Sequence, residues 1–551
     1  MSMYCYQCQE AAKNVACTKN GVCGKHADVA NLQDLLTYQL KGISLWAVKA
    51  RAAGVTDSAM DLFVVEGLFA TVTNVNFDGD WFEARITEGQ KVRDAVQAKY
   101  LATDGAEAPT HDSATFTVTT RDEMLAKAET VGVLSEENED LRSLKELLMY
   151  GLKGMAAYVD NAYILGAENP ELYAFTEKAL AEMTREDVTG DELTALVLEC
   201  GAQAVTTMAL LDKANTETFG TQAVSEVDTS LVEGPGILIS GHDLKDLAEL
   251  LEQTKDTGIN IYTHSEMLPA HAYGELNKYD HLKGNYGMAW HAQHTDFVKF
   301  TGAILMTTNC IKKPKDEYKD RLFTTGLVEW PGLVHIADRA EGSAKDFSAV
   351  IAKAKELGSI TAEAGKKITI GFAKDQVMAV ADKVIEAVKS GAIKRFVVMA
   401  GCDGHQDSRN YYTELAEKLP KDMVILTAGC AKYRYNMLDL GDIGGIPRVL
   451  DAGQCNDSYS LAYIALQLKD AFGLEDINQL PISYEIAWYE QKAVVVLLAL
   501  LSLGVKGIRL GPTLPAFLSP GVAQVLVDGF GIKGNGTPDE AIAEMLAPAS
   551  A

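Results

Sequence analysis

The sequence predicts a multidomain α + α/β protein, in which an N-terminal helical domain precedes two α/β domains with parallel sheets. Two observations predict this order. From residue 28 to about residue 215, apolar residues recur at intervals of three and four, the spacing of one helix face. From Gly234 onward, brief β-rich runs such as ILIS, AILMTT and VILTAG alternate with helical stretches, as parallel strands joined by crossover helices do.

Two segments of the helical region resemble each other. Residues 32–44 (LQDLLTYQLKGIS) and 144–156 (LKELLMYGLKGMA) share leucine, tyrosine and Leu-Lys-Gly positions in register. Each continues an apolar helix face, the first as far as Ala47 and the second as far as Val159. This repeat predicts two tandem helical bundles.

Within the α/β region, residues 372–395 predict a single amphipathic helix. Valine recurs along one face of it, at Val377, Val380, Val384 and Val388. Ser390 and Gly391 follow as a helix stop, since glycine readily takes the left-handed conformation of a C-terminal cap. The expected helix therefore ends shortly before the next β-rich run.

Acidic and small-residue stretches near residues 213–233 and 337–366 are the expected domain boundaries. They divide the chain into a helical domain (1–220), a first Rossmann-like α/β domain (221–365) and a second one (366–551). We expect the second metal centre described below to lie at the interface between these domains.

Charge and composition argue against two classes of partner. The formal net charge is −26 and no run of Lys or Arg offsets it, so nucleic acid and anionic membranes are not expected to bind. The N-terminus lacks the features of a signal peptide, and the most apolar stretch, residues 493–505, is too short to cross a bilayer. We therefore expect a cytoplasmic monomer with reduced thiols. An acidic surface suits a basic redox partner, and it equally suits simple solubility.

Four of the nine cysteines lie near the N-terminus, at Cys5, Cys8, Cys17 and Cys23. Their segment has little apolar content, so we expect a bound metal rather than burial to order it. Four thiolates complete either a tetrahedral zinc site or a four-iron cluster. The spacing C-x2-C-x8-C-x5-C lacks the two tight pairs usual in zinc modules and favours iron–sulfur, with zinc, a disulfide or free thiols as alternatives.

Four further cysteines each follow a predicted strand: Cys310, Cys402, Cys430 and Cys455. His242 follows the run ILISG and Glu266 follows INIYTHS in the same way. Open α/β sheets carry functional groups in the loops beyond the carboxyl ends of their strands. A lone cysteine or histidine there is usually a packing residue, but four strand-end cysteines between residues 310 and 455 predict a second metal centre. Cys200 lies inside a helical pattern and is assigned to packing.

Eight segments carry a resemblance to a known family: CYQCQEAAKNVACTKNGVCGK, GHDLKD, YTHSEMLPA, TTNC, VVMAGCDG, LTAGCAKYRYN, LDAGQCNDSYS and IAWYEQKAV. They are similar to the hybrid cluster proteins, also called prismane proteins or hydroxylamine reductases. The resemblance runs essentially from end to end. Each ligand position of that family is occupied by the expected residue in the expected order.

The resemblance implies two clusters. A [4Fe-4S] cubane would be held by the four N-terminal cysteines. A hybrid [4Fe-2O-2S] cluster would be held by His242, Glu266, Cys310, Cys402, Cys430, Cys455 and Glu490. It also implies a persulfide at Cys402 and a catalytic role for Cys402 and Glu490. Lys492 is a candidate proton donor by its position beside Glu490, although position alone favours a solvated lysine at a helix start.

The implied activity is reduction of hydroxylamine to ammonia, of nitric oxide to nitrous oxide, or of both, with the cubane relaying electrons from a redox protein. One alternative is a nitric-oxide sensor or S-nitrosylating factor acting through Cys402 or another thiol. A carbon monoxide dehydrogenase-like enzyme would need nickel and further bridging cysteines, for which only Cys200 remains. A zinc-binding scaffold is the remaining alternative.

Overall fold

The structure is a computed structural model that describes residues 2–340 and 342–547. Its first part is helical, as predicted. The helices there are α1 (Ala27–Ala52), α2 (Ser58–Ala70), α3 (Gly79–Leu101), α4 (Arg121–Val131), α5 (Glu139–Ile164), α6 (Pro170–Glu182) and α7 (Gly190–Phe219). The two similar segments lie in α1 and α5. Helix α1 packs on α3 and α5 packs on α7, while α6 crosses over to pack on α1.

The first α/β region forms a sheet that is parallel apart from β8. Its strands are β2 (Gly234–Ser240), β3 (Asn260–His264), β4 (Leu282–Asn285), β5 (Ala303–Met306), β6 (Leu322–Thr325), β7 (Val334–Ile336) and β8 (Ser359–Ile360), after a separate β1 (Ser225–Asp228). The order is β4-β3-β2-β5-β6-β7, with β8 antiparallel beside β2. The helices are α8 (Leu244–Thr254), α9 (Gly274–Asn277), α10 (Gln293–Lys299) and α11 (Ser348–Leu357).

The second α/β region is built around a five-stranded parallel sheet of order β14-β11-β10-β15-β16. The strands are β9 (Lys367–Ile370), β10 (Arg395–Gly401), β11 (Met423–Thr427), β12 (Asp442–Ile443), β13 (Ile446–Pro447), β14 (Val449–Asp451), β15 (Ile482–Ala487) and β16 (Arg509–Gly511). The helices are α12 (Lys374–Met378), α13 (Ala381–Lys389), α14 (Asn410–Lys418), α15 (Ser458–Ala471), α16 (Gln491–Ser502), α17 (Pro520–Phe530) and α18 (Pro538–Leu546). The predicted α + α/β class is thus confirmed.

The amphipathic helix predicted across Val377–Val388 is wrong in one respect, because the structure divides it into α12 and α13. The break is a turn in which the Val380 N–H donates to the Val377 carbonyl at 3.1 Å. Val377 and Val384 remain buried on one side, whereas Val380 is turned out to 41% exposure. The regular spacing of valines therefore does not mark one continuous face.

Helix α16 fixes the second α/β region to the helical region by packing against both α5 and α7. The contact depends on two glycines. A Cβ on Gly154 would lie 2.3 Å from the Gln491 carbonyl oxygen, and one on Gly201 would lie 2.1 Å from the Leu498 carbonyl oxygen. Larger side chains would push the helices apart. Because α16 begins directly after β15, this contact also holds the end of that strand in place.

Among the residues that the structure describes, one helix, α7, is long and apolar enough by length and composition to cross a membrane. It packs on α5 and α16. Its apolar residues Leu193, Cys200 and Leu211 are buried in the core shared by these helices. The apolar character of α7 therefore serves packing within the protein.

Candidate metal centres

The seven residues of the second predicted centre all follow parallel strands. In the first sheet, Glu266, His242 and Cys310 follow β3, β2 and β5; in the second, Cys455, Cys430, Cys402 and Glu490 follow β14, β11, β10 and β15. Within each sheet these strands are immediate neighbours. The carboxyl edges of two separate sheets thus face each other, and the loops beyond them supply every member of the set.

All seven residues line one small pocket of about 20 Å³. Its wall also contains Trp290, Asn309 and Tyr489. The donor atoms of His242, Glu266 and Cys455 lie within 4.8 Å of one another. Six of the seven are buried, and Cys402 is half-buried. The sequence separates these residues by up to 248 positions, yet the two sheets bring them to a single point.

Hydrogen bonds hold the imidazole and carboxylate donors in position. His242 Nδ1 lies 2.9 Å from Thr308 Oγ1, which leaves Nε2 directed at Glu266 Oε2, 3.7 Å away. The Gln454 amide donates to the carbonyl oxygens of His242 at 3.0 Å and of Glu266 at 2.9 Å. The Cys455 N–H donates to Glu266 Oε2 at 2.9 Å. Such outer contacts orient ligands and fix the histidine tautomer.

Glu490 is the N-cap of α16, as the sequence position suggested, and it lines the pocket as well. Its Oε2 accepts the Lys492 backbone N–H at 2.7 Å. The Lys492 side chain is 1% exposed, so the interpretation as a solvated lysine is wrong. Lys492 Nζ donates to Asn309 Oδ1 at 2.5 Å and lies 3.1 Å from His242 Nε2 and 3.8 Å from Glu490 Oε1.

Burial shifts the pKa values of the groups around the pocket. Burial, followed by the nearby Glu490 carboxylate, raises the pKa of Cys310 well above its usual value and that of Cys402 to about 12. Burial and Lys492 hold the pKa of His242 well below its usual value, so its imidazole is neutral. Four thiols, two carboxyls and a neutral imidazole combine soft and hard donors. This donor set would suit a metal centre that takes both soft and hard ligands.

The four N-terminal cysteines form a separate group. Cys5 and Cys17 exchange backbone hydrogen bonds of 3.1 and 2.8 Å, which brings the two halves of the loop together. Burial and the neighbouring thiols of Cys23 and Cys5 raise the pKa of Cys8 well above its usual value. Cys23 is half-buried, and none of the nine cysteines forms a disulfide. The donor chemistry fits an iron–sulfur cluster held by four thiolates.

Tyr489 lies between the two groups and was not identified from the sequence. Its carbonyl oxygen accepts the Gln9 N–H at 2.9 Å, and its hydroxyl accepts a hydrogen bond from Asn74 Nδ2 at 3.1 Å. Its ring packs on Trp290 with a centroid distance of 4.4 Å. Since Gln9 follows Cys8 and Glu490 follows Tyr489, one hydrogen bond joins the neighbours of both groups.

Cys200 belongs to neither group. It lies within α7, fully buried, and a Cβ built on Gly151 would lie 2.9 Å from its Sγ. Burial raises its pKa to about 12. Asn309 and Gln454 are the other site residues missed from the sequence; each directly precedes a predicted cysteine ligand, and that adjacency was the available signal.

The chain is similar to named proteins along almost its whole length. The chain is 60% identical over 541 residues to a protein of Desulfitobacterium hafniense named hydroxylamine reductase, covering 98% of each. It is 59% identical over 554 residues to a protein of the same name from Nitratidesulfovibrio vulgaris, covering 99% of this chain and 100% of that relative.

A solved structure shares the fold at much lower identity. Carbon monoxide dehydrogenase IV from Carboxydothermus hydrogenoformans superposes with a TM-score of 0.56 at 18% identity, over 96% of this chain and 88% of that one. Residues 3–543 match the family described as Prismane/CO dehydrogenase. The chain therefore belongs to the Prismane/CO dehydrogenase family.

Proposed function

We propose that this chain, an iron–sulfur oxidoreductase by its family, reduces hydroxylamine to ammonia, nitric oxide to nitrous oxide, or both. The observation that carries the proposal is the convergence of four cysteines, one histidine and two glutamates on one buried pocket. The relatives named hydroxylamine reductase supply the substrate class. We place the protein in the cytoplasm, where thiols stay reduced, as a monomer supplied with electrons by a redox protein.

The proposal gives two clusters two roles. Cys5, Cys8, Cys17 and Cys23 would hold a [4Fe-4S] cubane, and the seven pocket residues would hold a hybrid [4Fe-2O-2S] cluster. Bound there, the hybrid cluster supplies electrons one at a time and an open iron position for a small nitrogen oxide. Cys402, half-buried at the pocket wall, is the thiol that we propose carries the persulfide.

Lys492 is the proposed proton donor. Cleavage of the N–O bond of hydroxylamine consumes two electrons and two protons and releases ammonia and water. Burial is the largest single influence and opposes the charge on Lys492, but the acidic groups around it, led by Glu490, together raise the lysine pKa. Its ammonium is held by Asn309 and faces His242 and Glu490 across the pocket. A held ammonium within a dry pocket can protonate the departing oxygen or nitrogen.

The enzyme and the nitrosyl-transfer alternative differ in what Cys402 does. A sensor or S-nitrosylating factor would pass a nitrosyl group from a thiol to another protein, and Cys402 is the most exposed thiol of the pocket. A Cys402→Ala variant separates them if its iron and sulfide content is retained. Loss of hydroxylamine turnover with nitrosyl transfer intact supports the enzyme alone, and the converse supports the sensor.

A carbon monoxide dehydrogenase activity would require further bridging cysteines at the pocket. Cys200 is the only cysteine outside the two groups, and it lies against Gly151 in the helical core. Nickel analysis of the purified protein tests this alternative. A stoichiometric nickel content together with carbon monoxide oxidation would favour it.

The deciding experiment is turnover by the anaerobically purified protein. With dithionite-reduced methyl viologen as the donor, we expect hydroxylamine to be consumed and ammonia to appear in equal amount. Mössbauer and paramagnetic resonance spectra of the same sample count the iron sites and distinguish a cubane from an oxygen-bridged cluster. Protein that carries both clusters and converts neither hydroxylamine nor nitric oxide would refute the proposal.

A further inference from the structure

The surface beside the N-terminal cysteines carries apolar side chains that are unusually exposed for this protein. Among the residues that the structure describes, Val15 and Val22 are the two most exposed large hydrophobic side chains, at 61% and 60%. Both lie in the loop that carries Cys17 and Cys23. Single exposed apolar side chains are common, but these two flank Cys17 and Cys23, the thiols of the first candidate centre.

The loop that presents Val15 is anchored rather than loose. Lys13 and Asn14, just before it, both adopt left-handed backbone conformations with φ of 57° and 53°. The Asn14 N–H donates to the Ala11 carbonyl at 2.8 Å, and Thr513 Oγ1 donates to Asn14 Oδ1 at 3.3 Å. The valine is therefore held outward in a fixed position, which lowers the entropy lost when a partner binds it.

The charge of this surface is opposite to that of the whole chain. A groove of about 900 Å³ exposes Cys23 and is lined by Lys13, Lys312 and Lys313. The stem of Lys313 lies against Gly24, where an added Cβ would be 3.5 Å from the lysine Cβ. None of these lysines forms an ion pair among the described residues, and Lys13 and Lys313 are exposed. Lys312 is half-buried, its Nζ donates to the His291 carbonyl oxygen at 2.7 Å, and burial lowers its pKa to about 8. In a protein of net charge −26, the two exposed and unpaired lysines stand out.

Two carboxylates also face the groove. The charge of Glu10 is engaged locally, because its Oε1 accepts the His405 backbone N–H at 2.7 Å and lies 3.0 Å from His405 Nδ1. Asp407 stays exposed at the rim. Lys315 adds a further cation, since its Nζ reaches the carbonyl oxygen of His294 in the groove wall at 3.2 Å. The lysines therefore outnumber the available carboxylates.

We propose that the surface formed by Val15, Val22, Lys13, Lys312 and Lys313 docks an acidic one-electron redox protein that reduces the centre held by Cys23. An apolar centre with a charged rim is the usual arrangement of a specific interface, and complementary charge accelerates encounter. In the transfer, the partner loses one electron and the N-terminal centre gains it, with no atoms exchanged. This proposal differs from the expectation of a basic partner, which was drawn from net charge alone. The inference rests on the proposed function.

The test measures binding and turnover separately. Calorimetry with the oxidised form of an acidic [4Fe-4S] ferredoxin follows binding to the holoprotein, whether or not turnover occurs. We expect a Lys13→Glu/Lys313→Glu variant to weaken this binding about tenfold at low salt, and the difference to shrink as salt screens the charges. Lys421→Glu, which reverses another exposed lysine, is the control and should bind as the wild type does. Val15→Ser/Val22→Ser should weaken binding similarly at every salt concentration.

Turnover is then compared between two donors. In the two double variants, hydroxylamine reduction driven by the reduced ferredoxin should fall about tenfold relative to reduction driven by methyl viologen. Methyl viologen is a small dye that needs no protein docking surface. Unchanged ferredoxin binding in both double variants would overturn the docking surface. The docking surface would also be overturned if the wild type were a dimer that the Val15→Ser/Val22→Ser variant dissociates, because a second copy of the chain would then cover this surface. Failure with both donors in the wild type would refute the proposed function instead, while the binding result would stand.

Discussion

Lys492 Nζ lies 3.1 Å from His242 Nε2, although the two residues are 250 positions apart in the chain. The contact places a buried ammonium beside a predicted ligand. If Lys492 supplies protons, Lys492→Met should lower hydroxylamine turnover about a hundredfold, because general-acid catalysis contributes on that scale. The methyl viologen assay measures it.

The control for this change is Lys492→Arg, which keeps the charge. The iron and sulfide content of both variants is measured as well. We expect the arginine variant to retain more activity and both variants to retain iron. Full turnover by Lys492→Met with complete clusters would show that the proton comes from elsewhere.

Gln454 should be a positioning residue for the pocket. Gln454→Leu removes two hydrogen bonds, to the carbonyl oxygens of His242 and Glu266, and leaves both buried oxygens without this donor. We expect the free energy of unfolding to fall by about 2 kcal/mol and iron content to drop. Thermal unfolding measures the change in stability, and iron analysis measures the change in iron content. Gln524→Leu, at an exposed glutamine, should change neither quantity; equal effects of the two substitutions would count against the positioning role.

Substitutions of different cysteines should differ in their effect on the iron content of the protein. Cys200→Ala is expected to keep the full iron content and to lower stability by about 1 kcal/mol, because it only removes a buried sulfur. Cys455→Ala should lose iron from the second centre while retaining that of the first. Iron and sulfide analysis with paramagnetic resonance decides the matter. Iron loss in Cys200→Ala would contradict the assignment of this thiol to packing.

Glu485 should make stability depend on pH. Burial raises its pKa to about 7, against the partial compensation of Tyr411 and Arg509. Because the folded-state pKa lies above the unfolded one, the unfolded state loses its proton first, and stability falls as pH rises through the folded value. Between pH 5.5 and 7 the wild type should lose about 2 kcal/mol relative to Glu485→Gln. Parallel curves for the two proteins in thermal unfolding would show that Glu485 titrates normally.

Much of the fold and the position of the site followed from local patterns. Strand-end cysteines such as Cys402 could be recognised because parallel strands carry loops at one edge, and residues 32–44 could be recognised as a helix from one apolar face. The break in the helix at Val380 could not be recognised from the sequence, because the apolar residues are spaced alike on both sides of the turn. For Glu490, the local sequence indicated only a helix start. Its place in the pocket was predicted only from the family resemblance.

By itself, the sequence determined the α + α/β order, and it predicted the division of nine cysteines into two groups and Cys200 and favoured iron–sulfur as the class of centre. The tertiary structure decided what surrounds those residues. Whether Lys492 is solvated or buried, whether Gln454 holds two predicted ligands, and whether Val22 and Lys313 line one groove depend on contacts between distant segments. Local patterns carry no information on such contacts, because packing of α16 and the meeting of two sheet edges create them.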